Sequence, residues 1–258
     1  MRGRLLFLLM AGMPATITTA LAADTQAFLA GTTKTCIECD LAGQKLAERD
    51  LQRAKLDRAN LAAADLTGAS LFRASLLRAN LKGAKLAKAN LNLIDAKGAD
   101  FEGADLSEAL LFEADLSGAH LAGANLRAAR LGRARLNQAD LTGAMLAGAD
   151  LREARLAGAK LAGADMRGVT LDGLNLREMD LHGIDFTLAD MVEVNFTNAD
   201  LHDAQLAGVN LFGANLHGAD LRGANLEGAN LENAILSDAR IDGANFDAAI
   251  MPDGHRVP

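Results

Sequence analysis

From Leu41 to Met251 every fifth residue is Leu, Phe, Met or Ile, and Ala96 is the sole exception among 43 positions. Ala stands two places before these residues at 33 of the 43, and Asp or Asn stands one place before at 26. Gly stands two places after at 20 of them, and the phase never slips. Neither regular element accepts this spacing. On an α-helix each step of five residues turns about 140° past a full revolution, which smears the leucines around the circumference. On a flat strand an odd step reverses the face every time. Both arrangements leave half the leucines in water. The spacing is satisfied by a chain that runs extended for a few residues, with the Ala and the following Leu pointing the same way, and then turns a corner. Gly after the Leu suits the corner because it accepts positive φ, and Asp or Asn hydrogen-bonds locally to turn backbone. Repeated corners close a coil, and stacked coils make a solenoid.

Composition argues against a conventional aromatic-filled core. Apolar residues are 50% of the 258, yet Trp and Tyr are absent and Phe numbers nine, so the interior is filled by Leu and Ala. That apolar fraction also excludes disorder. A net charge of −7 argues against nucleic acid as a direct partner, because phosphates need a concentrated positive face.

The Ala-(Asp/Asn)-Leu quintets, such as Ala64-Asp65-Leu66 and Ala124-Asn125-Leu126, resemble those of the pentapeptide repeat family, over about residues 36 to 251. The resemblance implies an all-β fold, a right-handed quadrilateral β-helix with four quintets per coil. About eleven coils at roughly 4.8 Å each would make a rod on the order of 50 Å long. Departures fit two inward columns: at Ile94 and Ala96 the small and large residues exchange places, conserving interior volume. Val169, Leu174, Met179, Ile184 and Val194 replace Ala while Leu171, Leu176, Leu181, Phe186 and Phe196 stay large. The coils over 169–196 are therefore expected to be wider or to use a different turn.

The amino end reads as a leader. Arg2 and Arg4 precede the apolar run Leu5 to Met13, and Ala20-Leu21-Ala22 supplies small residues for cleavage. The expected division is a signal peptide at 1–22, a cap segment with a short helix at 23–35, the solenoid at 36–251 and a tail at 252–258. Cleavage near Ala22-Ala23 would release the chain outside the cytoplasm, most naturally in a periplasm. No later run is long and apolar enough to span a bilayer, so no membrane insertion is expected of the mature chain. The cap helix is placed at Asp24 to Ala30, with Asp24 or Thr25 as its amino cap and Gly31 as its stop.

Candidate sites are few. Cys36 falls on the large phase and Cys39 on the small one, so both thiols point inward, either bonded or as two buried thiols. With twenty residues per coil, Phe72, Phe112, Val192 and Phe212 share one outward column, a candidate protein-binding strip. His182 and His202 become neighbours beside Asp180 and Asp200, a weak candidate for a divalent metal. The last coil lacks a capping helix, so Ile241, Phe246 and Met251 are candidates for pairing with a second chain. The many Asp residues are placed on water-facing turns with ordinary pKa values. There is no nucleophile elbow, phosphate-binding glycine loop or zinc-protease motif. The expectation is a non-catalytic, cofactor-free interaction or structural module with an unidentified protein partner. The alternative comes from the resemblance: some pentapeptide repeat proteins imitate duplex DNA and inhibit or protect gyrase. The column Asp100, Asp140, Asp180, Asp200 and Asp220 suits that role, though Lys160 and Arg240 interrupt it.

Overall fold

A computed structural model describes residues 15–258, with side chains from Ala22 onward. The basic and apolar parts of the expected leader, Arg2 to Met13, lie outside the described residues.

Each quintet follows one course, and Leu61 to Asp65 shows it. The Ala64 amide donates to the Leu61 carbonyl at 3.0 Å, closing a four-residue turn whose third residue, Ala63, has φ 54°. That pattern is a type II turn. All 43 corner residues from 38 to 248 share its hand, with φ between 52° and 72°. The polar residue before the Leu then finds its use: the Asn60 Oδ1 accepts the Ala62 amide at 3.3 Å, and the Asp50 Oδ1 accepts the Gln52 amide at 3.0 Å. Asp and Asn therefore tie down the turn's second amide, which is why they crowd this position.

Four corners close a coil, because the polar residue of each quintet pairs in parallel with the one twenty residues later, as in Asn60 with Asn80 and Asp65 with Lys85. The result is the right-handed quadrilateral β-helix that the resemblance implies. Both apolar columns point inward: from Leu41 to Leu231 every large-phase residue is at most 3% exposed. Ile94 and Ala96 are both buried, so the exchanged pair fills the same interior. At roughly 1.5–3 kcal/mol for each buried Leu, the large column is the main stabilising contribution. Asn side chains add a ladder outside, for example Asn80 Nδ2 donating to Asn60 Oδ1 at 3.0 Å.

The ladder is interrupted once. Between the first pair, Thr35 with Lys55, and Asn230 with Ile250, every twenty-residue pair forms except Arg155 with Asn175 and Lys160 with Asp180. The neighbouring pair, Asp165 with Asp185, keeps the Met166 amide on the Asp185 carbonyl at 3.1 Å, while Asp150 and Thr170 pair fully. Leu174, Met179 and Ile184 occupy the small column on these three faces, beneath Ala154, Ala159 and Ala164. This corrects the expectation of a different turn: Gly173, Glu178 and Gly183 keep φ at 68°, 58° and 63°. The corners hold their geometry, and the extra side-chain volume is relieved between coils instead.

The helix also differs from expectation. α1 spans Ala15–Leu29, so Asp24 and Thr25 lie inside it and not at its amino end. The Ala, Thr, Ile and Leu residues from Ala15 to Ala23 include no Gly or Pro to stop a helix. Gly31, at φ 76°, ends it: the Gly31 amide reaches the Phe28 carbonyl and the Thr32 amide the Ala27 carbonyl, both at 3.0 Å. That pair of bonds is a Schellman stop. Phe28 is buried against the first coil, and Arg49 lies over its ring while donating to the Phe28 carbonyl at 3.3 Å.

Candidate functional site

The interior offers no chemistry, since Asp115 is the one buried polar or charged residue among those described. Burial pushes its carboxyl up, but hydrogen bonds from Ser117 and Lys97 outweigh that and hold it below the usual carboxylate range. Function must therefore lie on the outer faces and the two ends.

Charge divides the outer faces at the ladder gap. Residues 36–170 carry 19 basic and 17 acidic side chains, whereas 171–251 carry 3 and 14, for net charges of +2 and −11. The expectation of ordinary Asp pKa values is corrected at Asp150, Asp165, Asp172 and Asp220. The Asp150, Asp165 and Asp220 carboxylates stand one place before the large residue and collect hydrogen bonds, which favour the charged form. The Arg222 guanidinium brings Asp220 down to about 2 against a smaller effect of burial, with Arg240 also 3.2 Å away. Asp165 is lowered chiefly by a hydrogen bond from Arg167, and Asp150 by one from Arg152. Asp172 is raised, by burial and then by Asp190.

Phe72, Phe112, Val192 and Phe212 lie in one column without forming one patch. Asn92, Gly132, Arg152 and Asp172 fill the places between them. Phe112 is 43% exposed and lies across Gly132, where a β-carbon would come within 3.4 Å of its ring. Arg133 covers the Phe112 ring at 5.8 Å and Arg73 the Phe72 ring at 5.2 Å, contacts of the cation–π kind.

His182 and His202 stack with centroids 5.1 Å apart and planes 7° from parallel. Each Nδ1 meets its own Asp, His182 with Asp180 at 2.5 Å and His202 with Asp200 at 2.6 Å. The hydrogen bond to Asp180 raises the pKa of His182. A metal shared by two imidazoles lies about 2.1 Å from each nitrogen. Parallel rings at this separation do not close on one ion, and no group of three or more His, Cys, Asp or Glu among the described residues is placed to hold one.

The two ends are unlike. Cys36 and Cys39 are joined by a disulfide across the first corner, with Cα atoms 5.3 Å apart and both residues fully buried. At the far end the tail turns back, the Met251 amide donating to the His255 carbonyl at 2.8 Å and the Val257 amide to the Ala249 carbonyl at 2.9 Å. Arg256 thereby pairs antiparallel with Ile250 and covers one face of the last coil. The other faces stay open: Ile241 is 48% exposed, and Leu236, Phe246 and Met251 are only partly covered. Ile235, 50% exposed, adds to this surface. Sequence reasoning missed it, although an Ile in a column dominated by Asp and Asn was the available signal.

Comparison with known proteins places these features in context. The family description "Pentapeptide repeats" matches in eight copies, from 36–71 through to 214–251. HetL, a pentapeptide repeat protein involved in heterocyst differentiation regulation in the cyanobacterium Nostoc sp. strain PCC 7120, is 32% identical. The match covers 90% of this chain and 97% of HetL, with a TM-score of 0.52. A pentapeptide repeat protein of the Arabidopsis thaliana thylakoid lumen is 34% identical over 35% of this chain and 63% of its own, with a TM-score of 0.35. QnrB1, a plasmid-mediated fluoroquinolone resistance protein, is 15% identical over 81% of this chain and 90% of its own, with a TM-score of 0.41. Comparison with curated proteins gave no match.

Proposed function

The chain belongs to the pentapeptide repeat family, and from that premise we propose that it is an exported, non-catalytic rod that binds another protein through its outer faces. The observation that carries this reading is the division of labour within each quintet: the inward positions are spent on Leu and Ala, and the outward ones are free to recognise a partner. The −11 charge of residues 171–251 favours a partner with a basic surface there. The leader pattern at 1–22 and the Cys36–Cys39 disulfide support an oxidising compartment, and a periplasm fits both. After cleavage α1 would begin at Ala23 and retain Phe28 over the first coil. The open faces at Ile241, Phe246 and Met251 support pairing of two chains end to end.

Crosslinking in cells followed by identification of the captured protein tests the reading. A processed chain starting near Ala23, linked to one partner and losing it when Phe112 and Phe212 become Ser, is the expected result. Full-length chain in the cytoplasm would overturn export. The acidic stretch favours the second reading, a duplex mimic that binds gyrase, and gyrase among the captured proteins of the cytoplasm would establish it. A strictly monomeric chain in light scattering at high concentration would remove the end-to-end pair.

A further inference from the structure

We infer that the rod is two rigid arms, 36–170 and 171–251, articulated at the gap in the ladder. The two faces that lack their pairs, at Arg155 and Lys160, are consecutive, and the following face at Asp165 is half released. On the fourth face the Leu151 amide keeps the Thr170 carbonyl at 2.9 Å and the Thr170 amide the Ala149 carbonyl at 3.0 Å, so that strand pair and the chain running through Thr170 form the hinge line.

The cause is readable in the core. Leu174, Met179 and Ile184 make the first coil of the second arm broader than the Ala-lined coil above it. The same residues are fully bonded on their other side: the Leu174, Met179 and Ile184 carbonyls accept from Asn195, Asp200 and Gln205 at 2.8, 2.9 and 2.9 Å. The broad coil is thus fastened to the second arm, even where Met179 and Ile184 lie above Ala199 and Ala204, and its bulk is taken up on the side of the first. A cavity of about 360 Å³ lies at the opening, bounded by Gly158, Ala159, Arg177, Met179 and Asp180. On its upper lip Gly158 makes room for Gln138, whose Nε2 donates to the Ala157 carbonyl at 3.4 Å. A β-carbon at Gly158 would fall 1.9 Å from that nitrogen.

On the half-released face Arg167 of the first arm lies 3.8 Å from Asp185 of the second, but on the two open faces the charges turn inward to their own arms. Lys160 lies 3.8 Å from Asp140 in the first arm, and Asp180 is held by His182 in the second, so the two do not pair across the gap. The net charge changes from +2 to −11 at this same boundary. Opening the hinge costs no ladder bond on the Arg155 and Lys160 faces, because none joins them. A partner that contacts both arms would therefore set the angle between them.

Hydrogen exchange on the full chain tests the inference. The Leu156, Leu161 and Asp180 amides should exchange at least roughly tenfold faster than Leu136 and Leu141, the paired positions one coil earlier. Trypsin under native conditions should make its first cut within 36–251 after Lys160 or Arg177. Equal exchange at the two sets of amides, or a first cut elsewhere in the solenoid, would overturn the hinge. Replacing Leu174, Met179 and Ile184 together by Ala should slow Leu156 and Leu161 to the rate of Leu136. A folded triple variant that still exchanges fast would overturn the assigned cause, and if that variant fails to fold the wild-type exchange and cleavage remain decisive.

Discussion

The coils on either side of Thr170 use the same turn, the same polar residue before the large one and the same twenty-residue register, yet they meet badly. In the first arm Ala recurs beneath Ala, as at Ala114 and Ala134, and the ladder closes with bonds near 2.7–2.9 Å, such as Leu136 to the Arg155 carbonyl at 2.7 Å. Where Ala154 meets Leu174 and Ala159 meets Met179 the ladder is lost. The lesson concerns which part of the fold is stiff. Type II corners with a shared local hydrogen bond are short-range and hold their shape, whereas the bonds between coils are the ones that yield where bulk enters the small column. Met179 above Ala199 and Ile184 above Ala204 keep their bonds, so the bulk of this coil is accommodated on one side, coincides with a gap on the other, and leaves each coil intact.

Cavity-making substitutions sharpen the comparison most. Leu121→Ala, deep in the first arm, should cost about 3–5 kcal/mol of unfolding free energy, since its surroundings cannot collapse. Leu161→Ala, at the lip of the opening, should cost nearer 2 kcal/mol because the site is free to relax. Urea denaturation followed by circular dichroism measures both, and equal losses would break the contrast. The stapled end comes next. Replacing both Cys36 and Cys39 by Ser should cost about 2 kcal/mol for so short a loop, read from the same curves.

A smaller and opposite effect is expected at Leu188, which is 72% exposed and holds a corner at φ 61°. Leu188→Gly should stabilise the second arm by about 1 kcal/mol, because the left-handed conformation costs a residue with a β-carbon roughly that much. The least effect is electrostatic. Asp220 has its folded pKa depressed from 3.8 to about 2, so its contribution is complete above 3.8 and is lost as the pH falls toward 2. Asp220→Asn should flatten the fall in melting temperature between those two pH values, and an unchanged slope would show that Arg222 and Arg240 do not act through it.

The architecture was legible because its cause is a repeated local rule. The five-residue step excludes helix and flat strand outright, and the exchange of Ile94 and Ala96 identifies both columns as interior before any coordinates. The number of corners in a coil came from family resemblance, since nothing within a quintet counts its neighbours. The bulk at 169–196 was visible too, but a sequence does not say whether a turn or a ladder yields. α1 reaches back to Ala15 in the uncleaved chain, and Asp24 would stand near its amino end only with residues 1–22 removed. The outward sites were least legible: their positions follow from the register, but what they bind depends on a surface the chain does not encode. Ile235 and the charge step at Thr170 become meaningful only once the coils are stacked.

The parallel pairing of each polar residue with one twenty places further on has a kinetic consequence. Among the described residues no ladder contact reaches beyond a single circuit, so the first corner, fastened by its sulfur bridge beneath α1, offers a finished template while the rest of the polypeptide is still unfolded. Each new circuit needs only the one before it. Growth by accretion from the amino end follows, with a pause expected where Leu174 and Met179 must be laid onto a narrower layer.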